Sequence, residues 1–504
     1  MSFLQSRRSP EQEKDIFSAI EMKLSTVPYT LEQLRKKHPR FIYKSFRVRR
    51  KQRELIFDYE FLLEPDIVFK PKFVFHNLDP EYVKHSASFS RVGTMPGMLR
   101  GLAFYLGFAE IFTYWKAACP PEIVIECVAY ATDPSESFVW FLDLLKKGMG
   151  EFFYTNNIDF RASDFVKLTF PGAEPSGVSS PHLDYQLDVD KYLVPIGGGK
   201  DAIVTLETLK RAGKKIGCFL LNPTKAALDI VKTAVVEDVV LATRTIDPQL
   251  FALNKAGYLN GHTPFSSYLA FASTAAAVFF GYGNVAISQE RSSNEGNVHY
   301  LGQEINHQYS KSLEYETKFR DFSYKYFTTS VNYFSFLRPL YEIQIARMFT
   351  KFPQYFEVFR SCNRGQKTNT WCHQCPKCLF AFSALYPFLD EKTLIGPGKI
   401  FQRNLFEDAA LTDVALSFIK PDAVKPFECL GTREEATVMF YLAAKKIREQ
   451  GVEKLPPVLA RVDAEVLRHE KNLDERVQTV LSAWTDEHFL PDPLANFLKK
   501  QSNI

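Results

Sequence analysis

The sequence predicts an α/β protein: a parallel sheet flanked by helices, with an N-terminal α+β domain before it and a helical C-terminal part after it. Three observations predict this. Between residues 192 and 242 short apolar runs alternate with segments of helical periodicity, the pattern of strands joined by helical crossovers. Before residue 170 apolar and polar residues alternate in two runs around a basic turn, whereas from about residue 397 the apolar spacing is helical and exposed charge is plentiful. Of 504 residues 46% are hydrophobic, 14% aromatic (45 are Phe) and 24% charged, which excludes a largely disordered or collagen-like chain. At roughly one domain per 150 residues the chain has room for two to four, and the pattern divides it at 1–170, 185–396 and 397–504.

The elements follow in order. The first forty residues read as a charged helix. FIYKSFRVRRKQRELIFDYEFLL carries the alternation of a hairpin, and Arg47, Arg49, Arg50, Lys51 and Arg53 at its tip are either solvated or set to touch phosphate. Residues 98–118 have helical periodicity behind Pro96-Gly97, and EIVIECVAY reads as a buried strand. FPGAEPSGVSSP, residues 170–181, is a loop and a domain boundary. Residues 192–196 form a short strand and GGGKD a turn. Residues 202–212 then place Ile203, Leu206 and Leu209 on one helical face, ahead of Gly213. KIGCFLLN, TKAALDIVKTA and DVVLA continue as strand, helix and strand. Residues 265–288 carry no charge and are long enough to span a bilayer. Their several Ser, two Gly, Asn and two Tyr favour instead a buried helix followed by the strand GNVAIS. Helices near 432–449 and 474–484 close the chain.

Charge and cysteine content narrow the function classes. The 62 basic and 58 acidic residues leave +4, too near neutrality for the broad basic surface of a dedicated nucleic-acid binder. Eight cysteines are too sparse for a disulfide scaffold, and four of them crowd between residues 362 and 378, as in a metal site of a reducing compartment. The start, MSFLQSRRSPEQEKD, lacks the apolar core of a signal peptide. A cytoplasmic protein without nucleic-acid or membrane partners is expected.

Three stretches carry chemistry. Gly197-Gly198-Gly199-Lys200-Asp201 stands between a strand and a helix, where glycines let backbone N–H groups approach an anion and the helix N-terminus adds partial positive charge. It is neither a Walker A loop nor GxGxxG. A tight turn with Asp201 as helix cap is the alternative. Cys362, Cys372, Cys375 and Cys378 have spacing that closes a tetrahedral zinc site of structural role, with an iron–sulfur cluster as rival and unliganded thiols as the plain alternative. Between Cys372 and Cys375, His373 reads as supporting rather than ligating. NGHTP (260–264), SQERSSNEGN (288–297) and QEINHQYSKS (303–312) follow the apolar helix and strand, so they fall at the C-terminal edge of the sheet, where α/β proteins bind ligands. There Glu290 and His307 are set to exchange protons, while Arg291 and Lys311 suit carboxylates or phosphates.

The glycine loop resembles the Ser-Gly-Gly-x-Asp-Ser loop of the ATP pyrophosphatases, which cleave ATP between the α and β phosphates. Gly197 and Ala202 replace its two serines. Together GGGKD, NGHTPF, SQERSSNEGN, NHQYSKSLEYE, WCHQCPKC and KPFECLG resemble one family, the ATP-dependent UDP-N-acetylmuramoyl-L-alanyl-L-glutamate epimerases called MurL, from the hairpin to KPFECLG. The resemblance implies an adenine-nucleotide α-hydrolase-like (pyrophosphatase-loop) core. It also implies inversion of the terminal L-Glu of UDP-MurNAc-L-Ala-L-Glu through an adenylate, with AMP and pyrophosphate released. On that basis Gly197, Gly198, Gly199, Lys200, Arg291 and Lys311 hold ATP, Asp201 and Glu290 hold Mg²⁺, and His262, Glu290 and His307 are the candidate bases. Other pyrophosphatase-loop enzymes, such as 7-cyano-7-deazaguanine synthases or RNA-thiolating enzymes, and a non-catalytic nucleotide-binding scaffold are the rival readings. The small-molecule partner implied is a UDP-linked muropeptide; the oligomeric state stays open.

Overall fold

The alternating runs at 40–63 pair as their pattern requires. In the computed structural model, which describes residues 29–78, 97–127, 134–171 and 187–504, β1 (Arg40–Lys51) and β2 (Glu54–Leu63) form an antiparallel hairpin. Its inward aromatic residues pack on α1 (Gly97–Trp115): Tyr43 stacks on Phe104 with ring centroids 5.7 Å apart, and Phe61 on Tyr114 at 5.7 Å. The approach is close enough that a Cβ at Gly107 would lie 2.2 Å from the Tyr43 hydroxyl, so the helix face there must be glycine. At the basic tip Arg49 pairs with Asp58 across the hairpin at 2.6 Å, and Arg53 donates to the Leu78 carbonyl at 3.3 Å.

Short strands β3 (Ile67–Phe69) and β4 (Lys72–Phe75) follow, then β5 (Glu122–Ile125), helix α2 (Gly150–Thr155) and β6 (Lys167–Thr169). From the expected charged helix Leu31–Lys37 is helical, with a capping box at Thr30; residues 1–28, most of the 170–181 loop and the last residues of EIVIECVAY lie outside the described residues.

The β/α alternation continues through β7 (Asp188–Pro195), α3 (Lys200–Arg211), β8 (Lys215–Leu221), α4 (Lys225–Ala234) and β9 (Val239–Thr245). The uncharged stretch at 265–288 becomes helix α5 (Phe265–Phe280) and the start of β10 (Tyr282–Glu290), turning at Gly281. Among the described residues no helix is long and apolar enough to cross a membrane. A small hairpin, β11 (Val298–Tyr300) and β12 (Gln303–Ile305), precedes α6 (Leu313–Phe322), β13 (Asn332–Leu337), α7 (Glu342–Phe349) and α8 (Pro376–Leu385).

One sheet joins most of these strands in the order β13-β10-β7-β8-β9-β4-β2-β1-β5-β6, with β3 beside β2. The block from β13 to β9 is parallel, and β9 accepts β4 antiparallel, Phe75 opposite Ala242. The sheet therefore runs without interruption across 1–170 and 185–396, because the edge of β9 is covered by β4 rather than left unpaired. Within the parallel block β7, first in sequence, lies at the centre between β8 and β10. The connections on its two sides therefore leave in opposite directions, a switch point where loops splay and leave a crevice.

Successive strand residues belong to different cores. Leu193, Phe219, Val285 and Ile287 join the N-terminal helices on one face, whereas Tyr192, Val194, Cys218, Leu220 and Ala286 join a second core on the other. The helical region beyond 397, including α9 (Arg433–Glu449), builds the outer part of that second core.

Candidate functional site

The glycine loop lies at the C-terminal end of β7, at the switch point. Gly198 has φ +106°, and a Cβ there would meet Ala226 Cβ at 3.1 Å and the Arg360 carbonyl at 3.3 Å, so this position accepts only glycine. A Cβ at Gly197 would meet nothing within 4 Å, and at Gly199 only Ser361 Cβ at 3.9 Å. These two glycines leave open space over the loop. Gly199 is the N-cap of α3 and supplies no side-chain hydrogen bond, so the first N–H groups of the helix remain available to an anion. Asp201 does not cap the helix. It lies inside the first turn and accepts from Lys200 Nζ at 2.5 Å.

Lys200 is buried and also donates to Glu342 Oε1 at 2.6 Å. Glu342 opens α7, just after β13, while Glu290 ends β10. Three neighbouring strand ends thus bring oxygens of Asp201, Glu290 and Glu342 within 4.8 Å of one another. Burial and the Asp201 charge push Glu342 up to about 7. Burial likewise raises Glu290. Asp201 is also pushed up by burial, but the adjacent Lys200 ammonium outweighs this and holds it below its usual range. The second oxygen of Glu342 is buried without a hydrogen-bond partner. Three converging carboxylates, with one Glu342 oxygen unpartnered, are a donor set that suits a hard divalent cation.

A fully buried ion pair supports this end of the sheet. Arg338 pairs with Glu316 at 3.0 Å, and its guanidinium also donates to the carbonyls of Glu290 (2.7 Å) and Lys311 (2.5 Å). The backbone at Glu290 and at Lys311 is thereby tied to one side chain.

A second group adjoins the carboxylates. Lys311 Nζ lies 3.0 Å from Cys429 Sγ, and Lys311 also stabilises the charges of Glu290 and Asp201. His307 hydrogen-bonds Cys429 and, through Nδ1, Glu151 of α2. His262 Nδ1 lies 3.4 Å from the same carboxylate, with its ring centroid 4.4 Å from that of His307. The two imidazoles diverge: burial opposes protonation of His307, but Cys429 and Glu151 reverse this and raise it to about 9. Burial, His307 and nearby lysines drive His262 down to about 3. Cys429 reaches the site because Asn297 donates to the carbonyls of Lys425 (3.3 Å) and Pro426 (2.9 Å), and Lys425 pairs with Glu295 at 2.8 Å. Arg291 is placed differently from the rest. Its guanidinium stacks on the Tyr341 ring at 4.6 Å, and among the described residues it makes no hydrogen bond to the three carboxylates.

The four clustered cysteines also converge, every Sγ within 4.8 Å of the others. The closest pairs are Cys375–Cys378 at 3.5 Å, Cys372–Cys378 at 3.7 Å and Cys362–Cys375 at 3.8 Å. Zinc–sulfur bonds of about 2.3 Å put tetrahedral sulfurs about 3.8 Å apart, so the set fits one tetrahedral ion. Sulfurs this close leave no room between them for a multi-iron cluster. The N–H groups of Gly365 and Cys372 donate to Cys362 Sγ at 3.1 and 3.4 Å, as expected around a thiolate ligand. His373 Nε2 accepts from the Gln402 N–H at 3.2 Å and supports the chain beside the cluster. Cys375 is the N-cap of α8, and Lys377 in its first turn donates to the Cys429 carbonyl, so the cysteine cluster braces the second group.

Sequence reasoning missed Glu342, Glu151, Arg338 and Cys429 as site residues. Glu342 and Glu151 each look like an ordinary acidic residue in the first turn of a helix. Arg338, inside the apolar run FSFLRPLY, did carry a signal: a lone charge among strand residues is buried and paired, or absent. A cavity of about 670 Å³, bordered by Lys147, Asn294, Gln303, Asn306, Tyr309 and Glu314, is lined in part by the polar stretches at 288–297 and 303–312 but by none of the clustered groups. The convergent charges, not this cavity, mark the candidate site.

Comparison with known proteins identifies the family of the chain. A MurL N-terminal domain model matches residues 32–336 and a MurL C-terminal domain model residues 358–473. The UDP-N-acetyl-alpha-D-muramoyl-L-alanyl-L-glutamate epimerase of Salinispora tropica is 34% identical over 378 residues, 74% of this chain and 78% of that protein. The proteins of the same name from Xanthomonas oryzae pv. oryzae and Micromonospora sp. are each 34% identical, over 66% and 70% of this chain and 72% and 76% of theirs. No solved structure matches.

Proposed function

The chain belongs to the MurL family, and from that premise we propose that it inverts the terminal L-Glu of UDP-MurNAc-L-Ala-L-Glu to D-Glu, as an ATP-dependent epimerase of peptidoglycan precursor synthesis. The observation that carries the ATP-dependent route is the meeting of Asp201, Glu290 and Glu342 around Lys200, beside an uncapped helix N-terminus at the switch point.

An α-proton beside a free carboxylate resists removal, because the product would carry two adjacent negative charges. Joining the carboxylate to AMP removes one of them and brings an enolate within reach. In this reading the N–H groups of Gly198, Gly199 and the first turn of α3 cradle phosphate, in the manner of a pyrophosphatase loop, and the two missing serines are offset by backbone donors. Asp201, Glu290 and Glu342 would hold Mg²⁺, which supplies charge neutralisation for the phosphates. Lys200 keeps Asp201 and Glu342 oriented, and Lys311 offers positive charge to the developing transition state. Arg291, stacked on Tyr341, suits a contact with the outer part of the substrate. Zinc in the cysteine site clamps the 362–378 loop and takes no part in turnover, since four sulfurs leave no open position. ATP, the nucleotide-linked precursor and free thiols fit a cytoplasmic setting.

The test is incubation with Mg·ATP and UDP-MurNAc-L-Ala-L-Glu, reading AMP, pyrophosphate and the chirality of glutamate after acid hydrolysis. AMP together with D-Glu is the expected result, and Asp201→Asn should abolish both without unfolding the protein. Inversion without ATP consumption, or normal turnover by Asp201→Asn, would sink the reading.

A further inference from the structure

We propose that the Cys429 sulfur, set between Lys311 and His307 beside the carboxylate cluster, is the group that takes the α-proton of the activated glutamyl residue. This rests on the epimerase reading and assigns its central proton transfer.

Cys429 has the surroundings of a working thiolate. Lys311 Nζ lies 3.0 Å from Sγ, His307 hydrogen-bonds it, and Glu151 orients His307 from behind. Lys377 fixes the same residue through its carbonyl. Burial by itself would hold the thiol up, but Lys311, His307 and Lys377 reverse that and bring it well below its ordinary value. Nothing in a structural role requires three cations around one half-buried sulfur.

The other candidate bases are committed elsewhere. Glu290 lies in the carboxylate cluster. His307, hydrogen-bonded to both Cys429 and Glu151, is held as the cation and has no free lone pair, while His262 turns Nδ1 to the same Glu151 carboxylate at 3.4 Å and burial lowers its basicity. Lys311 faces both Cys429 and the Glu290–Asp201 pair, so Sγ stands one side chain from where the activated carboxylate would form. In the step, the Cα–H bond breaks and its proton goes to Sγ. The electron pair moves into the enolate of the acylated AMP. The proton that returns to the opposite face comes from a group other than Cys429.

The experiment uses the full chain in D₂O with Mg·ATP and UDP-MurNAc-L-Ala-L-Glu, comparing wild type, Cys429→Ser and Cys429→Ala. Expected in both variants is a fall of Cα deuterium and D-Glu on the order of 10²-fold or more, as for loss of a positioned base, and greater than any fall in pyrophosphate release. Deuterium exchange at wild-type rate in either variant would overturn the assignment while leaving the epimerase reading intact. So would a substrate-mass adduct on Cys429 in quenched wild type, which would indicate acyl transfer, or loss of pyrophosphate release in both variants, which would make the residue structural. ATP turnover by wild type with neither Cα deuterium nor D-Glu would bring down the epimerase reading and this inference together.

Discussion

The cysteine cluster and the carboxylate cluster each gather donors suited to a cation, but by opposite means. The four cysteines come from one short stretch, residues 362–378, and their sulfurs stand at the spacing of a closed tetrahedral site. The three carboxylates come from residues 201, 290 and 342, meet only through the sheet, repel one another and leave a Glu342 oxygen unpartnered. The first cluster lowers the free energy of the fold when loaded. The second carries an electrostatic cost of the kind that perturbed groups at functional sites impose on stability.

Breaking the first cluster should have the largest effect. Cys375→Ser, or chelation of the native protein, removes metal-linked stabilisation on the order of 10 kcal/mol, so unfolding should be visible by circular dichroism, with one equivalent of zinc lost by metal analysis. A chelated protein that keeps its melting temperature would remove the distinction drawn above. Next comes the buried support: Arg338→Met strands the Glu316 charge and should cost about 3–5 kcal/mol in denaturant unfolding.

The carboxylate cluster should respond in the other sense. Glu342→Gln removes a carboxyl already held up to about 7 by burial and Asp201. Stability should stay within about 1 kcal/mol or rise, while AMP release falls on the order of 10²-fold or more. A large loss of stability in this variant would mean that the cluster is structural after all.

The smallest effect is a pH dependence. His307 is raised in the folded state to about 9 from 6.5. Its contribution to stability is therefore fully present below about pH 6.5 and is lost as pH climbs through about 9. The melting-temperature gap between wild type and His307→Gln should be a few degrees at pH 6 and close by pH 10. A gap that widens with pH would contradict the assigned partners.

The sequence reading reached well into the fold. The hairpin, the β/α alternation, α5 followed by β10, and α9 all form where periodicity placed them, and Asp201, Glu290, His307 and Lys311 do converge. The expectation of Asp201 as a helix cap does not hold, because Gly199 takes the N-cap and Asp201 lies inside the first turn. Arg291, expected among the phosphate-holding residues, stacks on the ring of Tyr341, fifty residues away.

By itself, the sequence determined what depends on near neighbours: the strand and helix periods, the glycine loop between them, and four thiols at chelating spacing. These are decided by steric and chemical relations within a turn or a short loop. The tertiary structure alone decided that β4 covers the edge of β9, that β7 lies between β8 and β10, that Glu342 meets Lys200 of the loop, and that Glu151 and Cys429 meet His307. Contacts between residues more than a hundred positions apart leave no local period, because they are selected by which sheet edges and helix ends come together, and only the packed sheet specifies that.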